Sequence, residues 1–472
     1  MTRGTIDKAL LADFLPAKPV IIDAGAHIGV DSVDMAERWP AACIHAIEPV
    51  PHLFTQLKER CAPYPAIVTH QLALSGKDGI STMHVSSGVS DASSSLHKPK
   101  EHLKRHPGVA FDASINVKTQ TLDSFMRTTG LSRVDLLWMD LQGHEYDVLR
   151  TTPDALARVG AIYTEVNLVE LYEDAGEYST LRTLLEENNF VVVQEYLAWE
   201  EAGNVLFVRR DIYEQSLLPA SAIVAGHEEG SLLDECLQSL YFCKERLFID
   251  MECTDGSADI ARSHGATVLP HRRVDVVEEV REWGAGHAAQ DWILFLDPDE
   301  RIMHPLLADI REHLTDEVGL ISVPCVFHVG GRALKGTVWG SRARPLVVHK
   351  KRVTIRSTVH GGYSVKALYK TVVIQPRGDN YVEHLWLASL RDFIPKHVRY
   401  ITREGEARYA RGERARWRSF VYRPLAAFWE CFITKKGYRD GALGLTLSIL
   451  YGWYIFGCYR SLLRYERQAK RV

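Results

Sequence analysis

Carboxylates and glycines close several apolar runs of this sequence, at spacings that can do chemistry. Asp297 and Asp299 end the run Trp-Ile-Leu-Phe-Leu-Asp297-Pro-Asp299-Glu300. At a strand end, that two-residue spacing can turn both carboxylates toward one cation. A divalent ion such as Mn2+ or Mg2+ held there would bind a diphosphate and stabilise a nucleotide leaving group. Without a cation the two charges repel; the competing reading is a solvated acidic turn. A second such place is Val20-Ile-Ile-Asp23-Ala-Gly25-Ala-His-Ile-Gly29, a strand ending in a glycine turn that opens a helix. Its glycines let backbone approach a ligand and aim helix N–H groups at it. The spacing is not the G-x-G-x-x-G dinucleotide pattern. A third is Ala-Ile-Glu48-Pro, where a carboxylate at a strand tip can accept both hydroxyls of a ribose.

These residues need a scaffold, and the sequence predicts an α/β one twice over. Short apolar runs at 20–24, 43–47, 67–74, 134–139, 161–165 and 191–196 read as strands. Amphipathic stretches such as 52–60 and 179–188 lie between them, the pattern of a parallel sheet with helical crossovers. Residues 204–208 read as one more strand, paired through a hairpin. A second series starts afresh at 221–225, 246–250, 266–269 and 292–296. The expected organisation is a first domain over 1–212, a linker near 211–219, a second domain over 219–390 and a tail over 391–472. Residues 86–95 are Ser-rich and read as a loop.

Three separated motifs in the first half occur in the order of one family. Asp23-Ala-Gly25-Ala-His-Ile-Gly29, Thr121-Leu-Asp123-Ser-Phe, and Met-Asp140-Leu-Gln142-Gly143-His144-Glu145 together resemble FkbM-type methyltransferases. The resemblance spans about 19–210. It implies a class I methyltransferase fold with a Rossmann-like sheet, the cofactor S-adenosylmethionine (SAM), and O-methylation as the chemistry. In those terms Asp23, Gly25 and Gly29 line the methionine and ribose end of SAM, and Glu48 holds the ribose. Ala73 lies near the adenine, and Asp140, Gly143 and Glu145 face the acceptor. His144 and Glu145 are the candidate bases. Asp140, Glu165 and Asn167 could instead gather a divalent ion. The sequence departs from the family's commoner wording at His27 (usually Asn) and Gln142 (usually Glu).

The second half resembles family 2 glycosyltransferases of the GT-A fold over about 219–390, in the subgroup related to lipopolysaccharide core glucosyltransferases. Asp297 and Asp299 match the family's metal-binding pair. Asp250 and Asp255 match positions that hold the base and ribose of a nucleotide-sugar donor, next to Glu228. His227 replaces the usual Asn. His384, in Val-Glu-His384-Leu-Trp, is a candidate metal or phosphate contact, and His360 a candidate for the acceptor side.

The net charge of −4 hides an asymmetry: residues 391–472 carry 18 Lys/Arg against 7 Asp/Glu, while the rest carries 38 against 53. A basic tail on an acidic body suits a phosphate-bearing surface. Residues 442–458 are largely apolar with basic flanks and interfacial aromatics. Three arrangements follow: amphipathic helices lying on an anionic membrane, a true span, or a helical pair packed on the core. Eight cysteines without a CxxC pair, and no apolar leader after a basic start, point to a cytoplasmic protein at the inner face of the plasma membrane. The leading expectation is a bifunctional enzyme of surface-glycan assembly acting on a glycan or lipid-linked saccharide. A methyltransferase-like scaffold on a glycosyltransferase is the first rival. A nucleic-acid methyltransferase is the second, and no nucleic acid is expected because the tail is blockwise apolar rather than a uniform basic groove.

Overall fold

The computed structural model describes residues 6–197, 199–274, 277–340, 342–355 and 362–469. The chain divides into two compact units, Met1–Leu217 and Leu218–Val472.

The first unit is built on a seven-stranded sheet. Its spatial order is Ile67–His70, Cys43–Ile47, Val20–Ala24, Val134–Met139, Val159–Asn167, Ala202–Arg209, Phe190–Tyr196. The first five strands run parallel, and Ala202–Arg209 runs antiparallel between its neighbours. Counted along the chain this is 3-2-1-4-5-7-6, the class I methyltransferase arrangement. The parallel strands are apolar nearly throughout because helices cover both faces; Ile21, Ile22, Leu136 and Leu137 are fully buried. The order reverses between Val20–Ala24 and Val134–Met139, and a crevice opens outside the carboxyl ends of strands at such a switch point.

Two sequence expectations change here. The run 67–74 is not one strand: Ala73–Leu74 leaves the main sheet and joins Gly79–Gly88 and Val109–Gln120 in a separate three-stranded sheet. That hairpin was not foreseen. The run 86–95 is only partly loop, since Gly79–Gly88 extends into it and Ser95 bridges back to His84. The expected linker is also structured. Arg210–Ser216 is a helix, and Ile212 packs beside Gly160.

The second unit holds a ten-stranded mixed sheet. Thr267–Pro270, Cys243–Asp250, Leu218–Gly226 and Trp292–Leu296 form its parallel part, in that spatial order. Arg342–His349, Val318–Val329, Val382–Leu387 and Glu300–Ile302 continue it with mixed directions. The order reverses between Leu218–Gly226 and Trp292–Leu296, so a second crevice is expected at their ends.

Helices Phe393–Ala410, Tyr422–Trp429 and Ala442–Ala469 complete this unit. Gly405 lies against Ser461 and Gly457 against Ile401, so the two long helices cross closely where side chains are smallest. Trp339 stacks on Trp386 with ring centres 4.7 Å apart, and Phe393, His397 and Tyr451 meet Trp339 edge-on. Buried Asp440 accepts the Lys335 and Gly336 N–H groups, both at 2.8 Å. The helices are thus fastened to the sheet that precedes them. Ala442–Ala469 is long and apolar enough, by length and composition, to cross a membrane.

Candidate functional sites

At the first switch point the chain makes a tight turn around Gly25. Gly25 and Ala26 donate their N–H groups to Ile47 O at 3.0 and 2.9 Å, and Asp140 N donates to Ala24 O at 3.0 Å. Gly25 has φ +83°, and a Cβ there would sit 2.0 Å from Asp140 O. Only glycine fits, and the fit brings three strand ends to one place. A cavity of 230 Å³ opens there, lined by Gly25, His27, Glu48, Leu74, Asp140 and His144 among others. The unforeseen hairpin and its connection supply the cover through Met83, Asp91, Ala92, Ser94 and Leu96.

The predicted residues divide into those that face this cavity and those that build it. Glu48 is buried and lines the cavity while accepting His27 N at 3.0 Å and Val50 N at 2.7 Å. Burial holds its carboxyl up to about 7 despite those two bonds. Ala73 is a cavity wall. Asp140 opens into the cavity, and the protein packed around it raises its pKa.

Asp23 is different. It is buried, accepts the Ser32 hydroxyl, and does not line the cavity. Its work is to fix the start of helix Val30–Arg38. Gly29, at φ +84°, caps that helix and makes room for Leu57. Glu145 is also withdrawn: buried, it accepts Leu141 N at 2.7 Å and orders the turn after Asp140. It is not among the residues that line the cavity. His144 lines the cavity, but both ring nitrogens are engaged: Nε2 with Ser75 Oγ at 3.1 Å, Nδ1 with His97 Nε2 at 2.9 Å. Burial, with His97 beside it, lowers its pKa to about 4.

The alternative ion site at Asp140, Glu165 and Asn167 is closed by Gln142. The Gln142 amide nitrogen donates to Asp140 at 2.7 Å and to Glu165 at 2.8 Å. Tyr172 donates to its carbonyl oxygen at 2.8 Å. A neutral amide thus joins two carboxylates where a cation would otherwise be needed.

At the second switch point the DPDE turn follows Trp292–Leu296. His384 Nε2 lies 3.2 Å from Asp299, and its Nδ1 3.3 Å from Glu300. Lys396 Nζ lies 3.7 Å from Asp299. Burial pushes the Asp299 carboxyl up, but His384 and Lys396 outweigh it and the net shift is downward. Burial opposes the charged form of His384 as well, yet Asp299 and its neighbours hold it up to about 10. Asp297 faces Arg281 at 3.7 Å. Glu300, fully buried, pairs with Arg344 and belongs to the support of the turn.

Glu229 is the acidic residue the sequence reading passed over. Burial, then the charges of Asp299 and Asp297, hold it up to about 7, and Glu229 Oε2 and Pro298 both lie against Gly226. Its neighbour Glu228 instead accepts Thr254 N at 2.6 Å, and Asp255 accepts Gly230 N at 2.8 Å. Those two tie the loops at the ends of Leu218–Gly226 and Cys243–Asp250 together. Asp250 accepts Cys253 N at 2.8 Å at that same edge. Asp297 and Asp299, with Glu229 near the turn, offer oxygen donors of the kind a hard divalent cation takes, while the ligand atoms that lie within 4.8 Å of one another at this turn are those of Glu300, Cys325 and His384. His360 lies outside the described residues.

Comparison with known proteins follows the division of the chain. Residues 23–192 match the methyltransferase FkbM domain family, and residues 221–374 match glycosyl transferase family 2. The 2-O-methyltransferase NoeI of Sinorhizobium fredii is 36% identical over 160 residues, covering 33% of this chain and 66% of that protein. The lipopolysaccharide core biosynthesis glycosyltransferase LpsC of Rhizobium meliloti is 23% identical over 271 residues, covering 54% of this chain and 95% of that protein. Among solved structures, a mannosyltransferase from Pyrobaculum calidifontis in complex with GDP-mannose and Mn2+ covers 52% of this chain and 86% of its own, at 13% identity and a TM-score of 0.33. That likeness is too remote to bear on the sites.

Proposed function

We propose, for a chain that carries an FkbM methyltransferase domain followed by a family 2 glycosyltransferase domain, that it methylates a hydroxyl with SAM and transfers a sugar from a nucleotide-sugar donor during assembly of a bacterial surface glycan. The observation that carries this reading is the pair of switch points, each dressed for a different ligand. One is a glycine turn with a buried carboxylate over a cavity; the other is a carboxylate turn with a histidine. The relative named a 2-O-methyltransferase favours a hydroxyl oxygen as methyl acceptor. The relative named for lipopolysaccharide core biosynthesis favours a surface glycan as sugar acceptor.

In the first domain Glu48 holds the ribose, the Gly25 turn lies against the ligand, and Asp140 receives the proton of the acceptor hydroxyl. SAM supplies an electrophilic methyl group there. The cavity walls would align the acceptor oxygen with that methyl group. Asp140 takes the base's role in place of Glu145 because it opens into the cavity, whereas Glu145 is not among the residues that line it. In the second domain Asp297 and Asp299, with Glu229 near the turn, would hold the cation, which would supply positive charge to a departing diphosphate. Lys396 and His384 keep Asp299 ionised and in place.

Isothermal titration with SAM, and separately with UDP plus Mn2+, tests the reading. Each ligand is expected to bind one site without affecting the other. Absence of SAM binding would reduce the first domain to a scaffold. The SAM titration carries a pH signature. Glu48 is held up to about 7 by burial, and the sulfonium cation favours its ionised form. Binding therefore releases a proton, and affinity rises with pH through 7 and levels off above it. A single group at that pKa gives about tenfold between pH 6 and 8. A flat profile would remove Glu48 from the site.

The acceptor reading extends to the membrane. Trp417 is 75% exposed, Leu425 63% and Trp429 61%, and Arg416, Arg418, Arg423, Lys435 and Lys436 are exposed around them. Large aromatics interleaved with cations suit the interface of an anionic bilayer. The chain is expected to sediment with vesicles containing phosphatidylglycerol and to stay free with neutral ones. Trp417→Ser combined with Trp429→Ser is expected to weaken that binding by about two to four orders of magnitude, from about 1.5–3 kcal/mol for each of the two large apolar side chains. Equal binding to neutral vesicles would contradict the role of the cations.

A further inference from the structure

A cluster behind the SAM cavity has no part in the reactions above. His97 Nε2, His144 Nδ1 and Asp147 Oδ2 face one another: 2.9 Å between the nitrogens, 3.0 Å from His97 to Asp147, 3.4 Å from His144 to Asp147. Ligand atoms about 2.0–2.1 Å from one ion, at angles near 90–110°, lie about 2.9–3.4 Å apart. The ring centres of the two histidines are 4.7 Å apart and the rings tilted by 56°. Two nitrogens meeting head-on would hold the centres farther apart, so the rings lean toward a shared point beside the nitrogens.

The surroundings fit as well. His144 Nε2 reaches Ser75 Oγ at 3.1 Å, a partner that can accept the ring's proton from Nε2 when Nδ1 ligates. Arg150 holds the other oxygen of Asp147 from Nε and Nη2, both at 2.8 Å. Partners of this kind, on the far side of each ligand, orient metal-binding side chains. Two imidazoles and one carboxylate, all partly buried, suit zinc-like divalent ions better than Mg2+ or Ca2+. An open fourth position would be left for water.

We propose that His97, His144 and Asp147 hold a zinc-type divalent cation that clasps the cover of the SAM cavity to the helix Glu145–Arg150. His97 sits on the connection 89–100, whose Asp91, Ala92, Ser94 and Leu96 line the cavity. Its two partners belong to the element that follows Asp140. Without the ion the cover is held near this helix by hydrogen bonds such as Ser95 Oγ to Gln142 O at 2.8 Å. With it, the two walls of the cavity are cross-linked. The site is distinct from the carboxylate set around Asp299, which lies in the other unit. Its metal content does not depend on the SAM reading; its effect on SAM binding does.

The test uses the full, untagged chain loaded with Co2+, as parent, Asp299→Asn, His97→Gln and Asp147→Asn. Retained cobalt and visible ligand-field bands are read after dialysis. The parent and Asp299→Asn are expected to keep one cobalt with the same bands; His97→Gln and Asp147→Asn are expected to lose it. Retained, if weakened, SAM binding and a cooperative thermal melt by the latter two show that their unit remains folded. Chelation is expected to weaken SAM binding by the parent about tenfold, within the usual range of coupling between sites, and SAM to tighten cobalt binding by the same factor. In His97→Gln chelation is expected to change nothing. Bands that persist in both His97→Gln and Asp147→Asn, or cobalt lost only with Asp299→Asn, would overturn the proposal. Cobalt held as expected but without effect on SAM would overturn the clasp and leave the SAM reading to its own titration.

Discussion

Asp299→Asn is expected to abolish Mn2+-dependent UDP binding and to lower glycosyl transfer by about three orders of magnitude, the loss of several kcal/mol of charge stabilisation. SAM binding is expected to stay within twofold of the parent. The substitution keeps the shape of the side chain and removes its charge. In the parent that charge faces His384 at 3.2 Å and Lys396 at 3.7 Å. The variant keeps both cations and loses the carboxylate between them, so a divalent ion would approach a site with one ligand fewer and less negative potential. Breaking a partly buried pair of this kind also costs stability, up to about 3–5 kcal/mol where burial is complete. A thermal melt therefore accompanies the titration. A fall in Tm with UDP–Mn2+ binding intact would make Asp299 a structural residue. Loss of both ligands together would show the whole chain unfolded rather than one site removed. The SAM cavity is lined by residues between Gly25 and His144, in the other unit, so it serves as the internal control.

The sheets were legible in the sequence because their signal is local. Buried parallel strands are short apolar runs, and Val20–Ala24, Cys43–Ile47, Val134–Met139 and Trp292–Leu296 stand where those runs predict. The positions of the sites followed, since ligands gather where such strands end. The direction of individual carboxylates did not follow. Asp23, Glu145, Glu228 and Asp255 all stand in the right turns, yet each is taken up by a hydroxyl or backbone N–H group. Which neighbour faces the DPDE turn depends on backbone torsion: Glu228, at φ +57°, turns toward Thr254, and Glu229 Oε2 is left against Gly226, where Pro298 also lies. His97 had no local signal at all. It stands 47 residues before His144 and is delivered by a hairpin whose strand Gly79–Gly88 has a mostly polar, weakly alternating sequence. The tail's helices were foreseen from periodicity, but not the fit of Gly405 and Gly457 against the opposite helix, which depends on a long-range crossing.

Gly25→Ala is expected to remove SAM binding altogether, a loss of more than about a hundredfold, while UDP–Mn2+ binding by the other unit persists. Two costs add. Alanine at φ +83° pays roughly 1–2 kcal/mol for a left-handed backbone. The larger cost is steric: the new Cβ would lie 2.0 Å from Asp140 O and 3.0 Å from Asp140 C. Both are backbone atoms, held by the Asp140 N–H bond to Ala24 O, so neither can rotate away. Relief requires the ends of Val20–Ala24 and Val134–Met139 to part, which moves the Gly25 turn and the Asp140 carboxylate, two groups proposed to touch the ligand. The same parting loosens the Gly25 and Ala26 N–H bonds to Ile47 O, and with them the strand that carries Glu48. Gly29→Ala provides the comparison. Its φ of +84° is equally unfavourable, but the Cβ meets Leu57 Cδ1 at 2.7 Å and Cys61 Sγ at 3.1 Å, side-chain atoms that can shift, and no cavity-lining backbone lies among those contacts. It is expected to lower Tm while SAM affinity falls by less than about tenfold. If the two alanine variants lose SAM equally, the glycine turn acts through stability alone. If only Gly25→Ala loses it, contact between that turn and the ligand is what the glycine provides.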